Sequence, residues 1–274
     1  MRLNLSLCAL LACACATAPV KEAVAPPELP DQDLKVLSQN LTDFDVAEQS
    51  KLVCHEAVTG KSATYELVVD GKVMASGTSP LSVSCSPDAP GAFAVEHKGK
   101  YVANADELKA MDAKGGSLLV ALRGKATFNG PSGDVSIDFA HSREMRVPRL
   151  PHAVFQEVEA GRSAEDEAVI TFRVGVRNPN PFEVVVTAID YNVTVAGKKV
   201  AEGTIGKGER VTPASTGVFD LEAKVSAETH GDAEVRKLIK SRVLPYVITG
   251  QMKADLFAEP FEFKGNINLP PSKL

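Results

Sequence analysis

Alternation of apolar and polar residues is the leading pattern in this chain, and it is clearest over Val169–Val200. Ile170, Phe172, Val174 and Val176 fall on one side of the run, with Thr171, Arg173, Gly175 and Arg177 on the other. That period of two is the signature of a half-buried strand. The run breaks at Asn178-Pro179-Asn180-Pro181-Phe182. Proline fixes its own φ and pushes the preceding residue out of the helical region, so two Asn-Pro steps predict a rigid corner. A second β-rich run follows and ends at Ala196-Gly197. Similar patterning predicts strands over Thr64–Val69, Leu81–Cys85, Ala92–His97 and Leu118–Leu122 in the first half. In the second half it predicts Ala168–Arg177, Val184–Val195, Val218–Val225, Leu244–Ile248 and Phe261–Leu269. Asp70-Gly71 and Ala196-Gly197 are the expected hairpin turns.

Helical spacing replaces this alternation twice. Val235, Leu238 and Ile239 predict a helix over Asp232–Val243, with Asp232 as N-cap and basic residues toward its far end. In the first half a helix is expected from Asn104, with Glu107 completing a capping box and Gly115-Gly116 as the stop. Leu108 and Met111 form its inward face. Both helices are expected to cover an open edge or end of a sandwich.

The two halves also repeat. Tyr65-Glu-Leu-Val-Val-Asp-Gly71-Lys72 matches Tyr191-Asn-Val-Thr-Val-Ala-Gly197-Lys198 at an offset of 126. The same offset pairs Gly77 with Gly203, Pro87 with Pro213, Phe93 with Phe219, Asp106 with Asp232 and Gly124 with Gly250. A constant offset over such a distance predicts two copies of one domain, with the boundary near Arg149–His152. Short strands at regular spacing with turn signals predict a mostly β fold. The expectation is two tandem Ig- or fibronectin-like β-sandwich domains over residues 34–150 and 151–274, each with one short α-helix.

Composition narrows the function classes. The 274 residues are 44% hydrophobic, with 11 Phe, 4 Tyr and no Trp, so the cores rest largely on aliphatic side chains. A net charge of −5, spread through the chain, lacks the basic stripe of a nucleic-acid binder. Residues 1–12 carry Arg2 and a short apolar run, the layout of a secretory signal and too short to span a bilayer. Leu10-Leu11-Ala12-Cys13 resembles a bacterial lipobox, which makes Cys13 the lipidated first residue of a mature protein; the alternative is an ordinary signal peptide cut near Ala14 or Ala16. Ala14 in place of aspartate favours the outer membrane, by resemblance to Gram-negative lipoproteins. Residues 13–33, rich in Ala and Pro, read as a tether that holds the folded part away from lipid headgroups. Cys54 and Cys85 remain in the folded part and form either one disulfide or two small buried hydrophobes.

The sequence carries no signature of a reactive site. Gly60-Lys61-Ser62 lacks the earlier glycine of a phosphate loop, where His55 stands instead. The five histidines are scattered, and His55 beside Cys54 points to the opposite face of a strand. Glu165-Asp166-Glu167 reads as a solvated loop, so neither metal nor cofactor is expected. The corner itself has two readings: Asn side chains bonding nearby backbone while Phe182 plugs the sandwich end, or a recognition edge. The structural reading is favoured.

Asn178-Pro179-Asn180-Pro181-Phe182, followed by Thr187-Ala-Ile-Asp-Tyr191, Gly197-Lys198, Gly203, Pro213 and the closing Ile267-Asn-Leu-Pro270, resembles the type 2 late-embryogenesis-abundant family. That family is also described as the water-stress and hypersensitive-response domain. The resemblance covers roughly Pro151–Pro270 and reaches the first half only through the repeat, since no Asn-Pro corner stands between Cys54 and Tyr65. It implies a small β-sandwich, no catalytic residues, and protection of other proteins under drying or freezing stress. Binding or carrying lipid, and scaffolding of envelope assembly, are the alternatives. The expected partners are a membrane, through the lipid on Cys13, and client proteins or lipid.

Overall fold

The computed structural model describes residues 25–164 and 166–271. The leader (residues 1–12) and Cys13 lie outside the described residues. The first half contains β1 (Asp33–Gln39), β2 (Asp43–Leu52), β3 (Val58–Val69), β4 (Lys72–Pro80), β5 (Ser84–Cys85), β6 (Gly91–Lys100), α1 (Ala105–Lys114), β7 (Ser117–Gly130) and β8 (Gly133–Arg146). The second contains β9 (His152–Ala164), β10 (Glu167–Arg177), β11 (Val184–Val186), β12 (Ala188–Val195), β13 (Lys198–Ile205), β14 (Glu209–Val211), β15 (Thr216–Val225), α2 (Ala227–His230), α3 (Asp232–Ser241), β16 (Val243–Ala254) and β17 (Phe257–Asn268). The fold is mostly β, and all its strand pairs are antiparallel.

Each half is a pair of sheets. In the first, β1-β2-β6 faces β4-β3-β7-β8, with β5 attached to β3. In the second, β9-β10-β15 faces β13-β12-β16-β17, and β11-β14 forms a small extra ladder. Side chains from both facing sheets form one core in each half. Leu34, Val46 and Val95 meet Leu67, Leu122 and Phe139 in the first; Ile170, Phe172 and Leu221 meet Val193, Ile248 and Ile267 in the second.

A row of four residues crosses the larger sheet in each half. Gly77, Tyr65, Gly124 and Phe139 are register partners in turn, as are Gly203, Tyr191, Gly250 and Phe261. The glycines leave room for the rings. A Cβ on Gly124 would sit 1.9 Å from the Thr64 carbonyl oxygen, and one on Gly250 would sit 2.3 Å from that of Asp190. Asp70-Gly71 and Ala196-Gly197 both take positive φ at both positions, the requirement of a tight hairpin turn.

Several expectations need correction. The strand expected over Leu81–Cys85 shrinks to β5; the Val83 carbonyl accepts from the Gly60 amide at 2.7 Å outside any regular ladder. The run Val184–Val195 is two strands, because β11 pairs with β14 whereas β12 pairs with β13 and β16. Asp232 is the first residue of α3 rather than its cap; Gly231 precedes it, and Arg242 ends the helix in the left-handed region, leaving Val243 to β16. Glu107 Oε2 accepts from the Ala103 amide instead of closing a box on Asn104, although Asn104 does cap α1. Among the described residues the second half carries two helices, not one. Finally, β1, β2 and β9 are among the strands that escaped the pattern. The inner row of β2 reads Phe44, Val46, Glu48, Ser50, Leu52, and the glutamate interrupts the apolar alternation.

Candidate functional site at the Asn-Pro corner

At the end of β10 the prolines stop the ladder, and the asparagine side chains take over its hydrogen bonding. The Asn178 amide donates to the Ser215 carbonyl at 2.8 Å. The Asn178 Nδ2 group donates to the carbonyls of Phe182 at 2.7 Å, Val211 at 3.1 Å and Thr212 at 3.2 Å. Its Oδ1 accepts from both the backbone amide and Nδ2 of Asn180, each at 3.0 Å. Asn180 then grips the segment between β8 and β9. Its Oδ1 accepts from the Arg149 amide at 2.7 Å, and its Nδ2 donates to the Arg149 carbonyl at 2.8 Å. Both asparagines are 1% exposed, so water offers them no substitute partner.

The segment is held from the other side too. Arg149 Nε donates to Asp112 of α1 at 2.6 Å. Phe182 is buried in a third apolar cluster that joins the halves. Leu41, Val102 and Leu108 enter it from the first half, and Val176, Val184, Met252 and Phe257 from the second. Thus α1 packs Leu108 into the junction between the halves, whereas α3 packs Val235 and Ile239 into its own core. Pro179 and Pro181 remain exposed at the surface.

Chemically, this corner positions chain and holds nothing reactive at its centre. Neutral amides neither titrate nor attack, and their donors and acceptors are occupied by backbone and by each other. The other sequence-selected residues lie apart from it. Cys54 is bonded to Cys85, with the Cα atoms 6.0 Å apart, and the bond links the β2–β3 connection to β5. His55 lies 3.5 Å from Glu28. Asp166 sits in the turn before β10, and Glu167 pairs with Lys224. No group of three or more metal-type side chains comes together among the described residues.

Of the open depressions on the described residues, two lie beside charged side chains of interest. One, of about 720 Å³, lies on the larger sheet of the first half beside Thr64, Glu66, Thr78, Arg123 and Lys125. Arg123 there donates to Glu66 at 2.8 Å. The other, of about 440 Å³, lies where the halves meet, beside Asn40, Asp43, Lys100 and Asp255. Burial raises the Asp255 carboxyl above the usual carboxylate range, and Asp43 across the junction adds to this. Sequence reasoning missed Arg149, the meeting of Asp43 with Asp255, and Glu48. Only Glu48 carried a signal, as the charged interruption in an apolar row.

Residues 173–265 match the family described as "Late embryogenesis abundant protein". No curated protein matches the chain. Among solved structures, a crystal structure of a protein from Archaeoglobus fulgidus is similar at 19% identity and a TM-score of 0.30, over 44% of this chain and 99% of that one. A solution structure of a protein from Arabidopsis thaliana is similar at 18% identity and a TM-score of 0.35, over 46% of this chain and 88% of that one.

Proposed function

We propose that this chain is a non-enzymatic, lipid-anchored cell-envelope protein that protects other proteins through the surfaces of two late-embryogenesis-abundant-like domains. The observation that carries this reading is the match of residues 173–265 to that family. The two sheet pairs with their equivalent Gly-Tyr-Gly-Phe rows support treating the first half as a diverged copy. Filled interiors support surface action over carriage of a lipid: Phe44, Phe93, Phe128, Phe139 and Phe172 are among the fully buried side chains of the two cores. The lipobox-like run supports a lipid on Cys13, and the part of residues 13–33 that precedes the bridge between Glu28 and Val53 supplies the tether to an outer membrane facing the periplasm.

The protective role is tested by freeze–thaw of a labile enzyme with substoichiometric amounts of the soluble part of this chain. Retained activity well above that given by an equal mass of albumin is expected; parity with albumin overturns the reading. For the anchor, labelled acyl chains should be incorporated by the wild type and not by Cys13→Ser. Equal incorporation overturns the assignment.

A further inference from the structure

The apolar core of the first half contains a carboxyl group. Glu48 lies in the middle of β2, on the inward row with Phe44, Val46 and Leu52. Its register partners are Leu34 of β1 and Val95 of β6, both buried in that core. The side chain is 0% exposed, and neither carboxylate oxygen has a hydrogen-bond partner among the described residues. In the second half the place that Glu48 takes opposite Val95 is taken by Phe172 opposite Leu221, and Phe172 is also fully buried. An apolar side chain therefore satisfies this place in the second sandwich, and the carboxyl group is peculiar to the first.

An unpaired carboxylate cannot remain charged in such a site without a large desolvation cost, so it takes up a proton instead. We propose that Glu48 is a pH-controlled latch on the first sheet pair: protonated, it lets β1-β2-β6 close on the larger sheet, and ionised, it loosens that sheet and exposes its apolar inner face. The groups around it do not neutralise it. Asp33 on β1 adds a like charge. His97, one step along the inner row of β6 from Val95, is held below its usual value by burial, with its Nδ1 3.2 Å from the Tyr65 hydroxyl of β3. Arg143 of β8 is exposed and spends its guanidinium on the Leu34 carbonyl at 3.4 Å. His141 of β8 pairs in register with Leu122 of β7.

Burial, reinforced by Asp33, raises Glu48 from 4.5 to about 7. Between these values the folded form binds more protons than the unfolded form. Stability from this group is therefore complete below the unfolded value and is lost as pH climbs toward 7. His97 works in the opposite sense, since a depressed histidine costs stability on acidification. A comparison of wild type with a variant lacking only the carboxyl separates the two.

The test is amide hydrogen exchange of the full chain at pH 5 and pH 8, corrected for the intrinsic pH dependence of exchange. Between these pH values the carboxyl should raise the opening equilibrium of β1, β2 and β6 about 70-fold, read as the change in the wild type relative to the change in a variant without it. Glu48→Val, which puts an apolar side chain there, should lack that rise and leave β9, β10 and β15 unchanged. Glu48→Gln, uncharged at both pH values, carries the same test if the valine variant fails to fold. The latch is overturned if the pH dependence of protection in β1, β2 and β6 is the same in the wild type and in the folded variant.

Discussion

At the scale of single residues, the two corner asparagines replace a stretch of sheet. Asn178 supplies hydrogen bonds that an interrupted ladder no longer offers to Phe182, Val211 and Thr212. Removing a partner from buried carbonyls costs their desolvation in full, so Asn178→Ala should destabilise the protein by about 3 kcal/mol. In urea the midpoint should fall with the slope unchanged; a shift of under about 0.5 kcal/mol would refute the account. The structural role of this corner was legible because Asn-Pro steps have few backbone solutions. Its main partner was not. Arg149 lies 31 positions away, and nothing in its own residue type announces that its backbone amide and carbonyl are the groups bound.

Among elements, legibility followed the strength of local periodicity. Strands with clean alternation, such as β10, came through nearly to the residue, and the positive-φ turns at Asp70-Gly71 and Ala196-Gly197 are where local rules put them. Split or shortened strands failed for a different reason: β5 and β11 are defined by which neighbour accepts them, and that choice is not local. The disulfide belongs here as well. Composition left open whether Cys54 and Cys85 bond, and the structure joins them across a separation of 31 residues in sequence, tying the start of β3 to β5. Closing a loop of that length restricts the unfolded chain, so Cys54→Ala/Cys85→Ala should cost about 3–4 kcal/mol. Thermal unfolding with and without reductant checks this, and an unchanged midpoint in the wild type would show that the bond does not contribute.

For the whole molecule, the third apolar cluster is the decisive feature. Two sandwiches joined by a short segment would move independently if only polar surface lay between them. Here Leu41, Val102 and Leu108 pack against Val176, Phe182 and Phe257, while Arg149 is held by Asn180 behind it and Asp112 in front. The corner thus serves the junction as well as the end of one sandwich. The alternating pattern, the turns, the helix starts and the repeating glycines and tyrosines follow from short-range rules: side chains on a strand alternate faces, and only some residues tolerate positive φ. The sequence therefore determined the β class, the paired halves as an expectation and the rigid corner. Folding in three dimensions decided that Cys54 meets Cys85, which half receives Leu108, and that Glu48 lies inside a core. Those outcomes depend on distant surfaces being brought together, and a one-dimensional pattern does not specify the neighbour across a sheet or an interface.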